Sequence, residues 1–446
     1  MVGGAGRTAL CAVRKPGGAD VPSPAAARRQ SRGDAMSSAA RTARTEHDPA
    51  AVVTITAIRA TEVNLPLVAP YRWVAGLYHG STKVVVEVET SAGVTGLGEA
   101  GHWRHAAVIR EELAPRLLGR RATDLGDCWA SAVPPVETLY NTDGLDVVRA
   151  YGAIEMALWD IRGKLAGVPI YQLLGGALRK RIPFAEYFAM RDAVGGAGGE
   201  STPEQLGEYC RRMVEEFGSP FFEGKVGHTD LDTDVAVARC VREAIGPHRM
   251  LRLDANMGWR VPTAREALHR IEPYDIANVE DPVSSIEEMA RLRTHSRISF
   301  STHVPDLRSA VRLGVPDSFV LNLTALGGIT RTLRFIAACE AMRVDFTFYS
   351  GESGIGTAAY LQLAAADPHL GRPSQSLLRW YTNDVIVNGP FQAHEGHIDV
   401  PDSAGLGIEL DDAAVEAAHA AFTESGPIDT AAIDPFVGSL RRPPLY

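Results

Sequence analysis

Leu253-Asp254-Ala255-Asn256 and, further along, Val279-Glu280-Asp281-Pro282 share one design: an apolar run ends on a carboxylate and a polar turn follows. Glu223-Gly224-Lys225-Val226-Gly227 before them and Ser301-Thr302-His303 after them have the same form. Side chains at the C-terminal ends of successive parallel strands converge on one mouth, so four such segments in order read as the rim of a parallel barrel. A lysine followed by oxygen and nitrogen ligands in that setting reads as a base beside a divalent metal. The chemistry it points to is removal of a proton next to a carboxylate.

Outward from these segments the barrel pattern continues. Apolar runs cover 182–189, 219–225, 249–254, 276–280, 297–303, 318–323, 345–350 and 374–379, and helical patterns such as 231–245, 284–294, 329–342 and 355–366 separate them. Eight runs at this spacing are the count of a (β/α)8 barrel; fewer would suit a doubly wound sheet, and the barrel is the α/β fold expected here. Upstream, 53–66 and 82–91 read as strands of a hairpin-like sheet, and Ala69 to Gly76 as a mobile loop carrying Tyr71, Arg72 and Trp73. A helix over 145–166 sets Ile154, Leu158, Ile161 and Leu165 on one face and closes at Gly167 and Pro169. After Trp380 the chain turns irregular, as expected of a tail that returns to the first part. The organisation expected is a tail over 1–52, an α+β capping domain over 53–179, the barrel over 180–380 and a returning segment over 381–446.

Composition bounds the partners. The chain has 446 residues, 45% hydrophobic and 22% charged, which is enough for a large core in two structural parts. A formal charge of −9 argues against nucleic acid, which calls for a basic face. No run of about 18 apolar residues exists to span a membrane. Five cysteines, Cys11, Cys128, Cys210, Cys240 and Cys339, have no metal or disulfide spacing and fit a reducing cytoplasm. The first fifty residues hold eight Lys or Arg among Gly, Ala, Ser and Pro without apolar periodicity, so they read as a disordered tail or a mis-assigned start ahead of Met36, with an Arg-rich targeting segment as the alternative.

Together these stretches resemble the enolase superfamily, in its mandelate racemase and muconate-lactonizing branch. The resemblance spans roughly 53–410 and is carried by Ala153-Ile154-Glu155-Met156-Ala157-Leu158-Trp159-Asp160-Ile161-Arg162-Gly163-Lys164, by Leu173-Leu174-Gly175-Gly176, and by Asp254-Ala255-Asn256, Glu280-Asp281-Pro282 and Gly327-Gly328-Ile329-Thr330 in order. It implies a modified TIM barrel under a lid-forming domain, a homo-oligomer, a small carboxylate substrate, and Mg²⁺ held at the ends of the third, fourth and fifth strands. Asp254 and Glu280 match the first two metal positions. Asn256 and Asp281 stand beside them as supports for the ligands and the substrate, and Tyr71, Arg72 and Trp73 as substrate contacts, Arg72 toward a distal carboxylate.

The sequence also departs from the family. His303, 23 residues after Glu280, stands where an oxygen ligand is usual, a spacing similar to the glucarate dehydratase subgroup. Imidazole there shifts preference toward Mn²⁺, Fe²⁺ or Zn²⁺, and Asp306 is the rival ligand. Lys225 matches the second lysine of the family's Lys-x-Lys motif, but Glu223 replaces the first and is expected among the substrate contacts. An acid there favours the charged lysine if the two side chains meet. Asn322 and Tyr349 stand where the family's aspartate and histidine dyad would be. Asparagine orients but cannot ionise, and tyrosine is a poor base but a serviceable proton donor. His102 and His105 read as helix-start residues, and Glu352 as a further candidate for the mouth. The function expected is a metal-dependent hydro-lyase with Lys225 as base, because only one competent base remains. The alternatives are a racemase, epimerase or cycloisomerase on the same scaffold, and a degenerate carboxylate-binding barrel.

Overall fold

A computed structural model describes residues 52–134, 144–349 and 352–429. The expectation of a disordered tail over 1–52 lies outside these residues, Val52 apart. Strands β1 (Ile55–Trp73), β2 (Gly76–Thr90) and β3 (Thr95–Ala100) form an antiparallel sheet in that order. The side chains of Val84, Val86 and Val88 pack with Ile154, Leu158 and Ile161 of the long helix Gly144–Ala166, while Val85 joins the barrel-side core. The helix lies close on the sheet because Gly96 and Gly98 lack a Cβ that would overlap the carbonyls of Ala157 and Ala153.

The stretch around Tyr71 is not a loop. Tyr71 pairs with Tyr78 and Trp73 with Gly76, so β1 and β2 run on into a hairpin tip. Aromatic burial accounts for this, since Tyr71 packs on Tyr78, Tyr187 and Trp380 and is withdrawn from water.

Eight parallel strands form the barrel: β4 (Arg181–Phe188), β5 (Phe221–Lys225), β6 (Met250–Asp254), β7 (Asn278–Glu280), β8 (Ser299–Thr302), β9 (Ser318–Leu321), β10 (Asp345–Phe348) and β11 (Ser374–Ser376). β4 to β10 pair in sequence order and β11 pairs with β4, so the barrel is nearly closed; β12 (His397–Asp399) lies antiparallel on β4. Each of the eight apolar runs overlaps one barrel strand, and several of the intervening helices begin on side-chain caps, among them Thr202 on Gln205 N, Asp230 on Thr233 N and Ser285 on Glu288 N. The helix Asp412–Ser425 returns to β1, where His419 Nδ1 meets Glu62 O at 2.7 Å. No helix among the described residues is long and apolar enough to cross a membrane.

Two buried connections tie the N-terminal sheet domain to the barrel. Glu155, from the long helix, accepts the backbone N–H of Ile329 at 2.6 Å and of Thr330 at 3.1 Å, so this motif acid caps a barrel helix. Lys83 of β2 places Nζ 3.0 Å from Glu352 Oε2 and 3.9 Å from Glu99 Oε1, all three side chains being buried. That pair is internal, which corrects the reading of Glu352 as a mouth residue. Removing one partner of a buried pair strands the other charge, so Lys83→Met should cost roughly 3–5 kcal/mol in urea unfolding, and Lys83→Met/Glu352→Leu should recover much of it. A cost under about 1 kcal/mol for the single variant would show the pair to be idle.

Candidate active site

In the barrel, Lys225 stands opposite Asp254 and Asp254 opposite Glu280. Equivalent positions on neighbouring parallel strands face the same way, so the pairing register alone gathers the three groups. They are deeply buried, at 6%, 1% and 2% exposure. Charges so far from water need partners, and the site provides them. Lys225 Nζ donates to Asp254 Oδ2 and lies 5.6 Å from the ring centroids of both Trp73 and Tyr187. His303 Nε2 sits 3.0 Å from Glu280 Oε1. Arg252 Nη2 sits 2.6 Å from Glu223 Oε2, and Gln375 Nε2 donates to Glu223 Oε1 and, at 2.8 Å, to Glu280 Oε2. Each of the three carboxylates therefore has its own cation.

Glu223 was read as a neighbour of Lys225 and a substrate contact; its side chain is instead taken up by Arg252 and Gln375 inside the barrel. These two residues escaped the sequence reading. Their signal was a polar side chain two positions before Asp254 on one strand, and a glutamine on the last strand among serines. Both fall at inward positions, where only a polar partner justifies them.

His303 is held by its other nitrogen, Nδ1, 2.7 Å from Val320 O. That carbonyl fixes a proton on Nδ1 and leaves Nε2 to donate or to ligate. Burial opposes charge on this ring, but Glu280, Asp281 and Asp254 outweigh it and push its pKa up to about 10. Asp281, in a left-handed turn at φ +39°, accepts from Thr302 Oγ1 at 2.6 Å, and burial raises its carboxyl to about 6. Asn256 donates its backbone N–H to Asp254 Oδ1 at 2.9 Å, while its own Oδ1 is buried without a hydrogen-bond partner among the described residues.

Asn322 Nδ2 donates to Tyr349 Oη at 2.5 Å, and Asn322 Oδ1 accepts from Thr324 Oγ1 at 3.0 Å and Ala325 N at 2.7 Å. The amide is thereby locked in one orientation. Burial, with Glu352 adding to it, pushes the Tyr349 hydroxyl up to about 12, so the phenol keeps its proton at neutral pH. Trp73, Asn256, His303, Asn322 and Tyr349 line one cavity of about 440 Å³ between the barrel and the sheet domain.

Three further readings need correction. Arg72, expected to meet a distal carboxylate, places Nη2 2.5 Å from Asp192 Oδ1, which already neutralises it. Tyr71 is packed in the aromatic core rather than on a mobile loop. Asp306 caps the helix Leu307–Leu313 by accepting Ser309 N at 3.0 Å and is exposed, which removes it as a rival to His303.

A divalent ion suits part of this donor set. Asp254 and Glu280 are adjacent hard oxygen donors, Asn256 Oδ1 is an unused one, and His303 Nε2 is a borderline nitrogen. Among the described residues, no three His, Cys, Asp or Glu side chains are already gathered around one point, because Lys225 and His303 engage the carboxylates.

A parallel barrel with catalytic-type residues at its strand ends, capped by an antiparallel N-terminal sheet domain, defines the class. The domain pattern "Mandelate racemase / muconate lactonizing enzyme, N-terminal domain" matches residues 55–175, and "Enolase C-terminal domain-like" matches 205–414. The chain belongs to the enolase superfamily, in the mandelate racemase and muconate-lactonizing branch, and is an enzyme of that family. It is 28% identical to the chloromuconate cycloisomerase CbnB of Cupriavidus necator over 80% of this chain and 96% of that one. It is 28% identical to the D-xylonate dehydratase of Haloferax volcanii over 75% and 84%. An enolase of Thermobispora bispora complexed with magnesium and formate superposes with a TM-score of 0.79 at 26% identity, over 87% of this chain and 99% of that one.

The bridge made by Gln375 gives a direct test of the site's internal pairing. Gln375→Leu withdraws donors from two buried carboxylates and should lower the unfolding free energy by about 1–3 kcal/mol. Unchanged unfolding would mean that Arg252 and His303 satisfy the pair unaided.

Proposed function

We propose that this enzyme is a metal-dependent hydro-lyase that removes the proton α to a carboxylate and eliminates a β-hydroxyl. The supporting observation is the Tyr349 hydroxyl, held by Asn322 at 2.5 Å and kept protonated by burial, where a second base would otherwise stand. A divalent cation held by Asp254, Glu280 and His303 would supply the positive charge that a carboxylate needs when the neighbouring carbon loses its proton. Mg²⁺ satisfies the two carboxylates, and the imidazole of His303 admits Mn²⁺ as well.

The chain's own residues divide the rest. Lys225, projecting from the second barrel strand between Trp73 and Tyr187, takes the α-proton in its neutral amine form. The C–H electron pair becomes the new C=C bond and the C–O bond to the β-hydroxyl breaks. Tyr349, directly after the seventh strand, gives its proton to the departing oxygen, so that water leaves. With an α-hydroxyl present, the enol product tautomerises to a 2-keto acid. Asn322 holds the phenol in place, and Trp73 covers the mouth from the hairpin tip.

A cycloisomerase is the second reading, because one lysine suffices for it also and a cycloisomerase is among the relatives. A racemase fits less well, since it needs a competent base on each face. A barrel that binds carboxylates without turnover is the remaining alternative.

Lys225→Ala should preserve the fold while lowering kcat by roughly 10²–10⁴, the usual contribution of a positioned acid–base group. Tyr349→Phe should slow product formation more than α-proton exchange followed by proton NMR in D₂O, because exchange needs the base alone. Equal losses in both assays would remove Tyr349 as the acid, and release of a lactone instead of a 2-keto acid would favour the cycloisomerase.

A further inference from the structure

Asp254 and Glu280 share one pattern of contacts: on each acid, one oxygen accepts from a neutral N–H donor and the other faces a basic side chain. Asp254 Oδ1 accepts the backbone N–H of Asn256 at 2.9 Å, and Asp254 Oδ2 accepts from Lys225. Glu280 Oε2 accepts from Gln375 Nε2 at 2.8 Å, and Glu280 Oε1 lies 3.0 Å from His303 Nε2.

The neutral donor comes from a different place in each case, and the sequence gives the reason. Asp254 takes it from the residue two positions on, within its own turn. Two positions after Glu280 stands Pro282, which has no N–H, and the N–H of Asp281 is spent on Ser301 O at 2.9 Å. Neither of the two residues that follow Glu280 can therefore hold its carboxylate through the backbone. A glutamate also needs such a hold more than an aspartate does, because its longer side chain has more rotamer freedom to lose.

Gln375 fills that place from across the barrel, since β11 and β7 are not neighbours in the sheet. Its side chain is buried and is itself held. Nε2 also donates to Glu223 Oε1, Glu223 Oε2 lies 2.6 Å from Arg252 Nη2, and Arg252 Nη1 donates to Pro373 O at 2.8 Å. Pro373 precedes Gln375 by two residues, so these contacts form a ring that closes on the chain segment it started from. A closed and buried polar network restricts each of its members to one arrangement.

We propose that Gln375 is a positioning residue for the metal centre: it holds Glu280 Oε2 and leaves Oε1 as the oxygen that meets the ion, the part that the Asn256 backbone plays for Asp254. This rests on the reading above in taking Asp254 and Glu280 as ligands. Gln375 acts through Glu280 alone. Glu223, which stands where the family has a lysine, serves in the ring that steadies the amide.

The test is Mn²⁺ titration of the full chain followed by electron paramagnetic resonance, well below the melting temperature, on wild type and Gln375→Leu. Loss of a group that orients a metal ligand typically costs about 10–100-fold in affinity, so Gln375→Leu should bind Mn²⁺ at least about tenfold more weakly. A loss short of that overturns the proposal, and a lowered melting temperature with the affinity kept would make Gln375 a structural residue only. Should Gln375→Leu lack the native near-ultraviolet circular dichroism, Gln375→Met, which keeps the length and removes only the amide, is measured in its place against the same expectation. Wild-type binding that Gln375→Leu leaves intact removes this inference alone, whereas no saturable Mn²⁺ binding in the wild type removes the ligand reading and this inference together.

Discussion

Three carboxylates, Glu223, Asp254 and Glu280, are buried together inside one barrel, and no folded state tolerates that unless each is compensated. Arg252, Lys225 and His303 supply the compensation one to one, and Gln375 joins two of the three acids. Much else follows from that constraint. The pairing register of β5, β6 and β7 fixes which side chains meet. The Val320 carbonyl sets which nitrogen of His303 faces Glu280, and Trp73 and Tyr187 wall the lysine from water. A divalent ion held as proposed would compete with the cations already paired to Asp254 and Glu280.

The sheet domain supplies more than a lid. Its hairpin tip brings Trp73 to the cavity, its long helix brings Arg149, and its second strand inserts Lys83 against Glu352. Glu155 and Asp160, the acids in the most recognisable sequence motif, are structural: Glu155 caps the helix that follows β9, and Asp160 accepts the N–H groups of Leu97 at 2.9 Å and Leu406 at 2.7 Å. The motif that identifies the family therefore holds the two parts of the molecule together.

The barrel was readable from sequence because each strand ends in a sharp change from apolar to polar, and that signal is local. Lys225, Asp254, Glu280, His303, Asn322 and Tyr349 could be named for the same reason, each following directly on an apolar run. Partnerships across the barrel were not readable. Glu223 looked like a neighbour of Lys225 because alternation puts the two on one face, yet Arg252 and Gln375 compete for it from adjacent strands. Arg72 looked free because Asp192 lies far along the chain. Tyr71 read as loop because Pro66 and Pro70 interrupt the strand pattern, whereas aromatic packing against Trp380 carries the strand past them.

Asp254 and Glu280 are the proposed ligands of a divalent ion, and Lys225, paired with Asp254, is the cation that such an ion would meet there. Titration of Mn²⁺ into the wild-type, Asp254→Asn, Glu280→Gln and Lys225→Ala proteins, followed by electron paramagnetic resonance, tests that assignment directly. Binding should be saturable in the wild type, weakened at least about tenfold by either carboxylate change, and retained or strengthened in Lys225→Ala, which frees Asp254. Wild-type affinity in both carboxylate variants would contradict the account.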